Sequence, residues 1–258
     1  DSLGQIGAYT FMRPVGAFTV LANRGCRAKC SFCYVRNFNG MGVRVRTISS
    51  VVDEIQMMVD RYGLPHFMWL DDDLFYDHDR TVSLFNEIVR RNIRVTWDAS
   101  NGVIAAALTS EIMGAAAASG CIGLAFGIES GSPEILKAVH KPGTVASFRR
   151  AKELLKPYPH VFVRGFLIMG FPHETVRQLL QTMELALDLD FDWYPVQLLN
   201  PLPSTEIYTT MMEQGLIEDV LRVGTNVAIG PAGTIHLHQE REKLTAPEFL
   251  NLFGERDP

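Results

Sequence analysis

"CIGLAFGIESGSPEIL", residues 121–136, changes from one periodicity to another within a few positions. Its first eight residues are a nearly unbroken apolar run, as expected of a parallel strand covered on both faces. A short loop follows. Ser132, Pro133 and Glu134 then stand where an N-cap, a first-turn proline and a dipole-matching acid favour the start of a helix. The stretch predicts strand, turn and helix, the unit from which parallel sheets with helical crossovers are built.

The same unit recurs on both sides of it. Apolar runs at 17–23, 66–71, 93–99, 161–169 and 193–199 are each followed by residues with helical spacing. Val51, Val52, Ile55, Met58 and Val59 mark one helix, with Ser50 and Asp53 as its expected capping box. Leu179, Leu180, Met183, Leu185 and Leu187 mark a later one, and residues 204–215 read as a last helix with Gly215 as C-cap. Six such units with right-handed crossovers curl toward an incomplete barrel, since a full one needs eight. The expected fold is α/β, a partial (βα)6 TIM-like barrel over residues 1–216. Residues 217–258, where the pattern weakens to a hairpin and a short helix, are expected to form a C-terminal extension packed on the barrel. An open doubly wound sheet is the alternative.

A chain of 258 residues that is 47% hydrophobic can bury one large core. Its net charge of −5, without a long run of Lys and Arg, argues against a nucleic-acid surface as the main feature and leaves room for a local basic patch. No apolar stretch is long enough for a transmembrane helix. The chain begins at Asp1 with neither methionine nor a signal-peptide pattern, so the expectation is a segment of a longer protein with a domain upstream. Four cysteines, three of them clustered, fit a reducing cytoplasm better than a disulfide-stapled secreted domain.

The cluster is "NRGCRAKCSFCYVRN", residues 23–37. Thiolates are soft ligands suited to zinc or iron–sulfur centres. Structural zinc closes with four protein ligands, whereas a centre that does chemistry keeps a position open. Cys121, at the start of an apolar run, reads as a buried small residue rather than a fourth ligand. Cys26, Cys30 and Cys33 therefore leave one position free, unless the triplet is a zinc knuckle lacking a ligand.

Cys-x3-Cys-x2-Cys, with Phe32 before the last cysteine and the first strand just upstream, resembles the signature of the radical S-adenosylmethionine (radical SAM) enzymes. The resemblance implies that Cys26, Cys30 and Cys33 hold three irons of a 4Fe-4S cluster, the fourth being chelated by S-adenosylmethionine. It further implies reductive cleavage to a 5'-deoxyadenosyl radical that takes hydrogen from a substrate. A reductant such as flavodoxin or ferredoxin is implied with it.

The resemblance extends to the strand ends, where βα loops build the site. "LDDDLF" places Asp71, Asp72 and Asp73 where the family commonly has a Gly-Glu pair that receives the methionyl amine; Asp72 and Asp73 are the candidates, and an N-cap with a solvated flank fits too. Asp98, Ser100 and Asn101 in "WDASNGV" either face the mouth or form a turn. In "GIESGS", Glu129 and Ser130 suit ribose hydroxyls or the methionyl group. Arg164, inside an apolar strand, suits the cofactor's carboxylate or a structural pair with a barrel acid. "GFPHET" is similar to the family's Gly-x-Pro-Gly-Glu-Thr loop, with His173 in place of a glycine. Tyr34 and Trp69 read as packing residues, and the histidine pair of "HLH", 236–238, as a surface feature.

Together these loops look most like the cobalamin-associated branch, which methylates unactivated carbons or rearranges rings. The cobalamin-binding Asp-x-His-x-x-Gly signature is matched only partly by "HKPG", 140–143, where Ala138 replaces the aspartate. The expectation is a radical SAM enzyme acting on a small-molecule or lipid-like substrate, with cobalamin held by a domain absent from this chain. A methylthiotransferase-like enzyme on tRNA and an iron–sulfur electron-transfer module are the alternatives; no basic RNA-binding tail or second cysteine triplet supports the former.

Overall fold

Six parallel strands lie side by side in the order in which the chain makes them. The structure, a computed structural model, describes residues 16–217. β1 (Ala17–Val20) is followed by a small antiparallel ribbon of β2 (Asn23–Arg24) and β3 (Arg44–Val45), with α1 (Val35–Asn39) between its strands. Then come α2 (Ile48–Tyr62), β4 (His66–Trp69), α3 (His78–Arg90), β5 (Thr96–Val103), a single 3-10 turn, α4 (Ser110–Ala118) and β6 (Cys121–Glu129). α5 (Pro133–Ala138), α6 (Val145–Leu155), β7 (Phe162–Met169), α7 (Val176–Leu189), β8 (Val196–Leu198) and α8 (Glu206–Glu213) complete the order. A doubly wound sheet would reverse its strand order partway. The sheet β1-β4-β5-β6-β7-β8 never does, and its two end strands do not pair, so the fold is the partial barrel and not the open alternative.

The core lies between the convex side of the sheet and the helices. Phe67, Trp69, Phe85 and Trp97 stack through it with ring centres 4.9–6.3 Å apart. Because side chains alternate along a strand, these large rings leave His66, Met68, Asp98 and Ser100 for the concave side. Cys121 is buried, as expected.

Several boundaries differ from the sequence reading. The third barrel strand runs to Val103 instead of ending at Ala99, because Asn101 and Gly102 form an irregularity within it and not a turn; Gly102 takes φ +101° and Asn101 Nδ2 donates to the carbonyls of Leu70 and Asp71. α2 is capped by Thr47, whose hydroxyl accepts from the Ser50 amide, so Ser50 and Asp53 are not its capping box. Two helices, not one, link β6 to β7. Gln214 caps α8 and Gly215 follows it at φ +65°. Trp69 packs in the core, but Tyr34 is exposed. The extension expected after residue 216 and the "HLH" pair lie outside the described residues but for Ile217. Among the described residues no helix is long and apolar enough to cross a membrane.

Candidate active site

The cysteine loop leaves β1 and is tied down by three consecutive acids at the end of β4. Asp71 accepts from the amides of Ala22 (3.0 Å) and Asn23 (2.6 Å). Asp72 accepts from the Gly25 amide (3.1 Å) and Asn39 Nδ2 (2.7 Å). Asp73 accepts from the Arg27 amide (3.3 Å) and faces Arg27 Nε at 3.1 Å. Burial raises Asp71 to about 7, against the two amides that lower it. On the far side of the loop, Ser31 bonds the backbone of Val139 and Ile207, and Phe32 packs on Phe171, ring centres 5.8 Å apart. Gly25, at φ +96°, lets the loop pass within contact of the Gly42 carbonyl, where a Cβ would sit 2.3 Å away.

Held this way, Cys26, Cys30 and Cys33 line one cavity at the C-terminal mouth of the barrel, with Asp72, Glu129 and Lys141 on its other walls. Among the described residues no three His, Cys, Asp or Glu side chains converge as ligands of a single ion. Three thiols on one cavity suit a centre bound by all three with a further position left open. Burial pushes Cys26 and Cys30 up to about 11, so a bound cationic centre would have to displace their protons.

Of the residues expected at the site, Asp72 and Glu129 line the cavity and Asp73 grips the loop from beneath. Ser130 is fully buried and faces α7, where its hydroxyl lies 3.2 Å from that of Thr182. Arg164 is bonded to Ser100 and lies 3.7 Å from Asp98, which also meets His66 at 3.1 Å. His173 adopts φ +64°, a left-handed backbone that a glycine would take without strain. Its neighbour Glu174 accepts from the amides of Gly170 and Phe171, and burial raises it to about 7.

Lys141 is the residue that sequence reasoning missed. Its ammonium donates to Glu129 Oε1 at 2.7 Å, and the two side chains are only 11% and 10% exposed. A Cβ on Gly127 would fall 2.5 Å from both charged groups, so that glycine makes room for the pair. Burial acts to lower the Lys141 pKa, but Glu129 and the neighbouring thiols outweigh it and raise it, keeping the ammonium charged. The available signal was a lone lysine after a predicted helix, in a stretch read only as a partial cobalamin signature.

Fold and site thus define a partial (βα)6 barrel that presents three thiols and paired charges at one mouth. Residues 20–186 match the profile of the Radical SAM superfamily, and the chain belongs to that superfamily. The chain is 27% identical over 226 residues to cytidylyl-2-hydroxyethylphosphonate methyltransferase of Streptomyces wedmorensis, covering 83% of this chain and 41% of that protein. It is 27% identical to a tRNA-2-methylthio-N(6)-dimethylallyladenosine synthase of Sulfurihydrogenibium, covering 70% and 43%. In fold it is similar to the radical S-adenosylmethionine methyltransferase TsrM of Kitasatospora setae, solved with cobalamin and a 4Fe-4S cluster bound, with a TM-score of 0.72 at 22% identity over 83% of this chain and 41% of that one. The chain spans about two fifths of the length of these relatives.

Proposed function

We propose that this barrel reductively cleaves S-adenosylmethionine and that the protein containing it uses the resulting radical chemistry on a small-molecule or lipid-like substrate, in the cytoplasm. The observation that carries the reading is the single cavity shared by Cys26, Cys30, Cys33, Asp72, Glu129 and Lys141. When bound, the cluster and its cofactor supply the electron, the open iron and the 5'-deoxyadenosyl radical. The chain's own residues do the rest. Three thiolates hold the cluster; Asp72 offers a carboxylate to a cationic amine; Glu129 and Lys141 offer an acceptor and a donor to the polar end of the cofactor. Asp73 keeps the loop in place, Ser130 supports the β6 wall from behind through Thr182, and Arg164 stands on the concave side with Ser100 and Asp98. Phe166, Val103 and Ile104 give the cavity an apolar side that excludes water. The methyltransferase relatives support C-methylation with cobalamin carried elsewhere in the full-length protein.

The test is anaerobic reconstitution with iron and sulfide, reduction, addition of S-adenosylmethionine, and assay for 5'-deoxyadenosine. Product is expected from the native chain and not from Cys26→Ala, Cys30→Ala or Cys33→Ala; none from a fully loaded native centre overturns the reading. The similarity to the tRNA-modifying synthase favours a second reading, sulfur transfer to tRNA, which methyl transfer dependent on added cobalamin would exclude.

A further inference from the structure

The inward layers of a βα barrel are normally filled by bulky, branched apolar side chains. The concave face of this sheet carries polar ones instead. On β6, Gly123 and Ala125 present nothing larger than a methyl, and groups from the strands on either side close over them: Asp98 and Ser100 from β5, Arg164 from β7. A Cβ on Gly123 would lie 3.0 Å from that of Asp98, and Ala125 is fully covered. His66 of β4 completes the set, 2.9 Å from the Thr96 hydroxyl and 3.1 Å from Asp98 Oδ2.

This cluster has donors to spare. Arg164 donates to Ser100 through Nη2, and its nearest acid oxygen, Asp98 Oδ1, stands at 3.7 Å, beyond hydrogen-bond reach. No other acid pairs with Arg164 among the described residues. Its Nε and Asp98 Oδ1 are both buried without a hydrogen-bond partner. Buried polar groups left unmet are costly, so a guanidinium this poorly matched marks a place where the partner comes from outside the chain. The Arg164 side chain is still 28% exposed, which lets such a partner in. Phe166, two residues further along β7 and on the same face, lines the mouth cavity, so Arg164 leaves the strand about 7 Å deeper. Trp193 pairs in register with Arg164, shares its face and is 61% exposed.

We infer that Arg164, with Ser100 beside it, anchors a carboxylate of the substrate on the concave floor, and that Phe166 and Trp193 lie against the carbon body above it. This rests on the radical reading above and names the chemical class of its substrate, an organic acid. A guanidinium fork matches a carboxylate, and two of its nitrogens, Nε and Nη1, are committed to nothing in the chain. A phosphate is the poorer fit. Asp98 stands beside the fork, and a dianion meets more repulsion there than a monoanion. Arg164 thus serves the substrate, while the polar end of the cofactor stays higher, with Glu129 and Lys141 at the mouth.

The test uses 3-phenylpropionate as probe, an organic acid with an aromatic body, with 3-phenylpropionamide and 2-phenylethylphosphonate as matched controls. Binding to the cluster-loaded chain is measured by calorimetry, and the arginine Nε–H signals are followed by nuclear magnetic resonance. The acid is expected to shift the Arg164 signal, to bind at least tenfold tighter than the amide, and to bind tighter than the phosphonate. Arg164→Gln is expected to weaken the acid at least tenfold and to leave the amide and S-adenosylmethionine unaffected. Arg164→Lys, which keeps the charge without the fork, serves if the glutamine variant does not fold, with a loss of at least threefold expected. Equal binding of acid and amide, acid binding unchanged by the substitution, equal or tighter binding of the phosphonate, or a matching loss of S-adenosylmethionine affinity overturns the inference. If the acid binds as described but dithionite-reduced native protein makes no 5'-deoxyadenosine, the radical reading fails while the carboxylate anchor stands on binding.

Discussion

Lys141→Met is the substitution that asks most of the site as described. The methionine keeps the length and apolar stem of the side chain and removes the charge that Glu129 faces at 2.7 Å. Glu129 cannot easily turn away: it sits at φ +64° at the end of β6, with a strand irregularity just before it. Its carboxylate would be left about nine-tenths buried without a partner. Breaking a buried ion pair by removing one member costs about 3–5 kcal/mol, and the slight solvent access here points to the lower end, about 3 kcal/mol. That is more than a hundredfold in the folding equilibrium. Urea unfolding of the native chain, Lys141→Met, Glu129→Gln and the double variant completes the cycle. Most of the loss should return in the double variant, giving a coupling of about 2–3 kcal/mol. A single-variant cost below about 0.5 kcal/mol, typical of an ordinary surface position, with no coupling, would refute the view that this pair is a fixed feature of the mouth.

Glu174 gives a pH test. With its folded pKa raised from 4.5 to about 7, the native state keeps a proton that the unfolded chain has released, so stability falls as pH rises through that window. Glu174→Gln is expected to remove this part of the slope in melting temperature between about pH 5 and 7, leaving the similar one from Asp71. At His173, glycine is expected to relieve the left-handed backbone and stabilise by about 0.5–1 kcal/mol, less what the bond to Gln214 contributes. Gly131→Ala is expected to destabilise by about 1–3 kcal/mol in the same unfolding assay, because its Cβ would lie 2.3 Å from the Gln181 carbonyl of α7.

What the sequence disclosed about the fold follows from where the determining forces are local. Strands buried on both faces announce themselves as apolar runs, and Ser132 with Pro133 sets the start of α5 where the structure has it. Asn101–Gly102 left both readings open because a turn and a strand irregularity make the same demand, one residue at positive φ, and only the carbonyls of Leu70 and Asp71, just after β4, decide between them. The Ser50 cap lost to Thr47 by competition three residues upstream, where both side chains can serve.

The site divides along the same line. Three cysteines within eight positions are a local motif, and a single loop brings them to one cavity. The acids that fix that loop lie 46–49 residues away in sequence, and which of them faces the cavity depends on how β4 ends. All three grip the loop, but only Asp72 also reaches the mouth, a division invisible in a run of identical residues. Glu129 and Ser130 separate for a related reason. The left-handed backbone at Glu129 sends its carboxylate to Lys141 and leaves Ser130 to bond Thr182 on α7. Lys141 in turn follows His140 at φ +55°, so one member of the pair and the residue before the other hold a conformation that side-chain patterns do not encode. Strain of this kind persists only where the surroundings over-determine it. Here one strained residue supplies the carboxylate of the salt bridge beside the thiols and the other directly precedes its lysine, which makes the wall opposite the cysteine loop as specifically built as the loop itself.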